Sequence, residues 1–353
     1  MFVLKILLWP LAVLYDAVTR VRNYLFDIGR KPSFEFETFV INVGNLSVGG
    51  TGKTPHVELL INLLADRFKV ATLSRGYGRK SKGFLIADKN SSATLLGDEP
   101  MQFYYKFGEK VTVTVGEERA YAIPCILHER EDTQIILLDD AYQHRYVKPN
   151  INILLSDYTR PFYSDWVLPA GRLRESRSGA KRADAVIVTK CPESLSAAEQ
   201  EAICTEVRRY AGEEKPVYFT YVNYLKPQSV FDKFADIPKK IVFFAGIANP
   251  LAVIEKLGRE YDLLEAVRFS DHHAFSIKDV KQLTGKAKAL GRDVALLTTE
   301  KDMVRLLAPE FADMLKDIPF FYIPIEVKFL EGKQKFEDWI LKSVYSKYSS
   351  DKF

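Results

Sequence analysis

In NVGNLSVGGTGKTPH (Asn42–His56), a lysine and a threonine, Lys53 and Thr54, follow three closely spaced glycines, Gly49, Gly50 and Gly52. That pattern suits a phosphate chain. Glycines let successive backbone N–H groups curl around phosphate oxygens, the lysine ammonium reaches the β and γ oxygens, and the threonine hydroxyl is a ligand for Mg2+. The commonest form of this loop has a glycine, four intervening residues and then Gly-Lys-Ser/Thr. Here Ser47 stands at the first position and has only to enter the turn. The expected nucleotide-binding residues are Ser47, Val48, Gly49, Gly50, Thr51, Gly52, Lys53 and Thr54.

Such a loop works with an acidic partner at the end of a neighbouring strand. IILLDD (Ile135–Asp140) supplies it, with four apolar residues followed by two carboxylates. One of Asp139 and Asp140 is expected to hold Mg2+, directly or through water. The pair of motifs reads as a P-loop nucleotide hydrolase or transferase. No NKxD base-reading motif is present, which disfavours a GTPase. A P-loop ATPase of the partitioning or anion-pump type also carries GGxGKT, but its signature lysine would precede the glycine pair, where this chain has Val48.

The loop needs a strand before it and a helix after it. Phe36–Val43 reads as a buried strand, and Val57, Leu60, Ile61 and Leu64 share one face of a following helix. Further apolar, β-branched runs at Lys69–Leu73, Val111–Val115, Gln134–Leu138, Ile151–Leu155, Ala183–Thr189 and Val217–Val222 alternate with helix-like segments. That rhythm predicts a mostly parallel α/β sheet flanked by helices. It restarts after Pro227 with IVFFAGI at Ile241, AVRF at Ala266, VALLT at Val294 and FFYIPI at Phe320, so a second, smaller α/β domain is expected. The expected division is an N-terminal helix over 1–30, a nucleotide-binding core over 31–225 and the smaller domain over 226–353, with the boundary near Tyr224–Asp236. The polar tail from Ser346 is expected to fray.

The 353 residues suit two domains, and a net charge of +4 is too small to imply nucleic acid. Cys125, Cys191 and Cys204 form no CxxC pair, which argues against a zinc site and a disulfide framework. The N-terminus is almost wholly apolar, yet Lys5 and Asp16 leave a run too short for the roughly 20 residues a span needs. As a helix it is amphipathic: Asp16, Thr19, Arg20, Asn23, Asp27 and Arg30 form one stripe, and Leu14, Val18, Val21, Leu25 and Ile28 another. Periodicity alone favours docking on the protein's own core over an interfacial helix in a lipid leaflet.

GKTP at Gly52, SRGYGRK at Ser74, GDEP at Gly97, DDAYQHR at Asp139, LPAGRLRE at Leu168, FFAGIANP at Phe243, SDHHAF at Ser270 and TTEKDMVRL at Thr298 occur together and in this order. Taken together they resemble the tetraacyldisaccharide 4'-kinase family, the lipid A 4'-kinases. The resemblance runs from the first helix to about Leu306. Two departures stand out: Ala141 replaces the glycine of the usual DDGxQH, and Arg172 replaces the second proline of PxGPLRE.

The resemblance implies transfer of the ATP γ-phosphoryl group to the 4'-hydroxyl of a membrane-embedded tetraacyldisaccharide 1-phosphate. It assigns Asp98 as the base or orienting carboxylate for the sugar hydroxyl, with His272 as its partner. Lys53, Arg119, Arg174 and Glu175 complete the expected catalytic set, and Gln143 is expected to orient a phosphate or a metal-bound water. Thr54 and Asp139, with Asp140 and Glu99 as further candidates, are expected to position Mg2+. Ser74, Arg75 and the glycines of RGYG are expected to shape the nucleotide edge. A lipid acceptor also reverses the reading of the first helix, which becomes a docking element on the cytoplasmic leaflet of the bacterial inner membrane, peripheral and without a span. The enzyme is expected to be a monomer.

Overall fold

The computed structural model describes residues 2–350 apart from Asp232 and Ala235. Eight strands of the first sheet come in succession: β1 (Phe39–Asn45), β2 (Val70–Ser74), β3 (Leu85–Ile86), β4 (Val111–Val115), β5 (Ile135–Asp139), β6 (Ile151–Asp157), β7 (Ala185–Thr189) and β8 (Val217–Tyr224). A second sheet then takes β9 (Gln228–Ser229), β10 (Lys240–Ala245), β11 (Asp262–Arg268), β12 (Val294–Thr299) and β13 (Phe320–Ile323). The chain finally returns to the first sheet with β14 (Ile325–Phe329), giving the order β14-β8-β7-β6-β1-β5-β2-β4-β3. The second sheet runs β11-β10-β12-β13-β9.

The central strands pair in parallel, and β14, β3 and β9 pair antiparallel. Parallel strands covered by helices on both faces are buried on both sides, which is why they read as unbroken apolar runs. Every residue of β1, β2, β5 and β7 is buried. β1 lies between β6 and β5, so the loop after β1 and the carboxylates after β5 emerge side by side, with Val43 opposite Asp139. This is the edge at which open α/β sheets bind ligands.

The far end of the expected division needs correction. FFYIPI is two strands: β13 pairs with β12 in the second sheet, and β14 pairs with β8 in the first. Pro324 separates them, and proline has no N–H with which to extend a ladder. The helix Lys333–Ser350 follows, burying Phe336, Ile340 and Val344 in the core of the first sheet. Four-residue spacing puts those three on one stripe. The smaller unit therefore spans roughly 226–323 and is an excursion from the first, with the expected boundary segment including Asp232 and Ala235, which lie outside the described residues. The tail does not fray at Ser346: the helix continues to Ser350, and Lys347 donates to the carbonyls of Phe36 and Thr38. Residues 351–353 of that tail are outside the described residues.

The N-terminal helix, Phe2–Asp27, runs through Pro10. The face it turns to the protein is largely polar, with Ala12 and Phe26 buried in it. Asn23 donates to Glu175 (2.6 Å), Arg22 to the Gln143 carbonyl (2.7 Å) and Tyr15 to the Arg174 carbonyl (3.0 Å), while Asp27 pairs with Arg145 (2.6 Å). Leu7, Leu14, Val18 and Val21 are 60–73% exposed. Among the described residues no helix is long and apolar enough to cross a membrane.

Candidate active site

The glycine loop leaves β1 and turns into the helix Lys53–Leu64. Gly52 caps that helix with φ 83° and Gly49 has φ 107°, conformations a side chain would strain. Ser47 enters the turn as expected of a residue that needs no special conformation, bridging Leu173, while the Val48 N–H donates to the Arg172 carbonyl (2.8 Å). The N–H groups of Gly49, Gly50, Thr51 and Gly52 have no partner among the described residues. Successive free N–H groups at a helix N-terminus make a ready anion cradle. Two residues absent from the sequence reading brace it: Thr189 donates to the Thr51 carbonyl (2.9 Å), and Lys190 links the Gly50 carbonyl to Asp157. Their position at the end of a buried strand and just after it was the available signal.

Asp139 ends β5 and Asp140 follows it, but their settings differ. Asp140, at φ 54°, takes both prongs of Arg174 (2.8 and 3.1 Å) and lies 3.5 Å from Lys53. Although burial would raise its pKa, Lys53 and Arg174 lower it. Asp139 is buried and pushed up to about 7, first by burial and then by the charges of Glu99 and Asp140, against Lys53 and Arg119. One oxygen accepts from Ser74 (3.3 Å); the other, Oδ1, has no hydrogen-bond partner. Arg119 is buried and points its charge at the same pair, with its pKa brought down to about 10 by burial. Among the described residues Thr54 has no side-chain hydrogen-bond partner.

The same surroundings test the expected metal ligands. A buried carboxylate oxygen without a partner is costly unless a cation or water fills the role, so Asp139 fits a hard divalent ion, and the free hydroxyl of Thr54 fits with it. Asp140 is engaged by Arg174 and Lys53, and Glu99 by Lys301 (2.9 Å). No cluster of three or more protein ligands exists among the described residues.

Asp98 begins the helix Asp98–Phe107. Gly97 before it, at φ 95°, lies so close to Gly76, at φ 73°, that a Cβ on Gly97 would come within 3.1 Å of the Gly76 backbone. The crossing sets RGYG against the start of this helix and places the Tyr77 ring 5.3 Å from that of His272. Gly76 and Tyr77 thus border the Asp98 side of the site, while Ser74 contacts Asp139.

The structure brings Asp98 and His272 together across the two units, with Nδ1 of His272 3.1 Å from Oδ2 of Asp98. Lys301 lies 3.1 Å from Nε2. An ammonium can only donate, so Nε2 accepts and Nδ1 carries the proton that is donated to Asp98. Arg305, which sequence reading left unassigned within TTEKDMVRL, also donates to Asp98 and is held by Asp302 (2.7 Å). Burial would raise the Asp98 pKa, but His272 and Arg305 bring it down to about 2.

Glu175 is held by three side-chain donors. It is buried and accepts from Asn23 (2.6 Å), Gln143 (3.0 Å) and Arg182 (2.8 Å), forming a junction between the first helix and the site. Gln143 also donates to the Asn45 carbonyl (2.9 Å) and accepts from Arg174 (3.3 Å). Ala141 has no positive φ, which belongs to Asp140 instead, so alanine fits where the family has glycine. Arg172 is exposed. The three cysteines are free.

Comparisons with known proteins follow the same lines. The family model for tetraacyldisaccharide-1-P 4'-kinase matches residues 4–345. The tetraacyldisaccharide 4'-kinase of Flavobacterium johnsoniae is 44% identical over 350 residues, covering 98% of each chain. That of Bacteroides thetaiotaomicron is 42% identical over 353 residues, covering 95% of this chain and 92% of its own. Among solved structures, LpxK from Aquifex aeolicus, crystallised with ATP, aligns with a TM-score of 0.74 at 28% identity, over 97% of this chain and 100% of its own. A mostly parallel sheet bearing an anion-ready loop, the motif order and full-length similarity to these enzymes agree: the chain belongs to the tetraacyldisaccharide 4'-kinase family.

Proposed function

We infer that this protein transfers the γ-phosphoryl group of ATP to the 4'-hydroxyl of tetraacyldisaccharide 1-phosphate, giving lipid IVA in lipid A biosynthesis. The observation that carries this reading is Asp98, a carboxylate pinned by His272 and Arg305 and adjacent to Glu99, whose charge acts on Asp139 beside the nucleotide loop. An ATPase of the partitioning or anion-pump type needs no acceptor group of this kind, and the family membership does not favour it.

Phosphoryl transfer passes through a loose transition state, so the protein contributes mainly position and charge. Lys53 and the loop N–H groups receive the phosphate oxygens, with Arg119 and Arg174 supplying further positive charge beside the two aspartates. Asp139 and Thr54 would hold Mg2+, which when bound neutralises charge on the β and γ oxygens. With its pKa at about 2, Asp98 is anionic at working pH and accepts a hydrogen bond from the sugar hydroxyl, orienting its oxygen for attack. His272 fixes the carboxylate, and Lys301 fixes His272. We assign Glu175 to bracing the first helix against Gln143 and Arg182 rather than to the reacting groups.

The outward apolar stripe of the first helix supports docking on the cytoplasmic leaflet, where the acylated acceptor resides. Such helices lie in the interface without spanning. A chain beginning near Arg30 should lose activity on bilayer-embedded acceptor; full activity there would refute the docking role. For the reaction itself, purified protein with γ-labelled ATP, Mg2+ and detergent-dispersed acceptor should label the lipid, and Lys53→Ala and Asp98→Ala should each cut the rate of labelling by about a hundredfold or more. ATP hydrolysis without lipid labelling would favour the ATPase reading.

A further inference from the structure

Behind the site lies a charged cluster that none of the reacting groups uses. Glu58 and Glu300 are buried, and Lys106 sits between them, 2.6 Å from Glu58 and 3.4 Å from Glu300. Gln102 donates to both carboxylates, at 2.8 and 3.4 Å. Buried carboxylates are expensive without a partner, and removing the partly exposed Lys106 would leave both uncompensated. They hold their helices in one arrangement.

The helices they hold are the ones that carry the reaction. Glu58 lies one turn after Thr54 on the helix that opens with Lys53, while Gln102 and Lys106 lie one and two turns after Asp98 on its helix. Glu300 begins the short helix Glu300–Leu306, which also carries Lys301 and Arg305, the groups that fix His272 and Asp98. Each of the three helices thus carries both a group of the site and a member of the cluster. Glu300 also accepts from the backbone of Ile325, the first residue of the strand that returns the chain to the main sheet.

We propose that Glu58, Lys106 and Glu300 form a positioning cluster that sets the acceptor carboxylate Asp98 against the nucleotide loop, so that it governs the transfer step rather than the binding of either substrate. The proposal rests on the reading of Asp98 as the acceptor-orienting group. A shift of about 1 Å in a reacting group can cost about a hundredfold in rate, so a lever one or two turns long is enough to matter.

Glu58→Gln keeps the side-chain shape and removes the charge; Lys106→Met and the conservative Lys106→Arg complete the series. Steady-state transfer to detergent-dispersed acceptor, binding of a fluorescent ATP analogue and thermal melting are measured on the full chain. In Glu58→Gln and Lys106→Met, kcat should fall about tenfold or more while ATP affinity and acceptor KM stay within about twofold, and Lys106→Arg should recover most of the loss. A folded Glu58→Gln with unchanged kcat overturns the proposal. So does a parallel fall in kcat, ATP affinity and melting temperature, or failure of both charge-removing variants to fold, because the cluster would then be structural only. Asp98→Asn, run alongside, separates the two readings: if it retains kcat, the acceptor assignment itself fails, and if it alone collapses kcat, only the cluster proposal fails.

Discussion

The two halves of the site are built by different means. The nucleotide side is a stretch of contiguous backbone, Ser47 to Thr54, with free N–H groups at residues 49–52 and two positive-φ glycines. The acceptor side is assembled from side chains far apart in sequence: Asp98 meets His272, 174 residues on, and Arg305, 207 residues on. A backbone loop carries its geometry in its own sequence. A side-chain constellation depends on how two sheets are set against each other.

If that contrast holds, substitutions on the two sides should differ in kind as well as size. Lys53→Ala removes charge from the transferred group and should lower kcat about a thousandfold, with weakened nucleotide binding, measured by labelled transfer and a fluorescent ATP analogue. Asp98→Ala should lower kcat by about a hundredfold or more while leaving nucleotide affinity nearly unchanged. A parallel loss of ATP affinity would mean that the two sides are not separable.

Arg305→Met should lower kcat about tenfold and reshape the pH–rate profile. With Arg305 and His272 present the Asp98 carboxyl titrates at about 2, so its anion persists throughout the working range and contributes no acid limb there. Remove Arg305, and burial, which opposes ionisation, raises that pKa. A new loss of activity should then appear as pH falls towards the raised value. The smallest expected effect belongs to the nucleotide side: Ala141→Gly should leave kcat within about twofold and cost about 0.5 kcal/mol in stability, because Ala141 needs no positive φ and glycine adds freedom to the unfolded chain.

The same contrast explains what could be read from sequence. GGTGKT after a buried strand, and IILLDD at the end of another, locate the nucleotide side because local pattern and local geometry coincide. Asp98 and His272 were reachable only through family resemblance, since nothing in GDEP or SDHHAF points from one to the other. Arg305 and Lys301 stayed hidden for a related reason: a lysine and an arginine four residues apart on a helix look like a solvated face until another element covers them. The return of β14 was missed because Pro324 divides an apolar run that reads as one strand, and strand partners are not encoded in periodicity. The first helix was legible as amphipathic but not in orientation, because periodicity gives two faces without saying which one turns inward.

That orientation has a kinetic consequence. A helix bonded to the Arg174, Glu175 and Gln143 region by its polar side, and resting in lipid by the other, would hold the site at a fixed height over the bilayer. The encounter with acceptor then becomes two-dimensional, and turnover should follow the mole fraction of acceptor in the surface rather than its bulk concentration. Diluting acceptor with inert lipid at constant total acceptor should slow the enzyme.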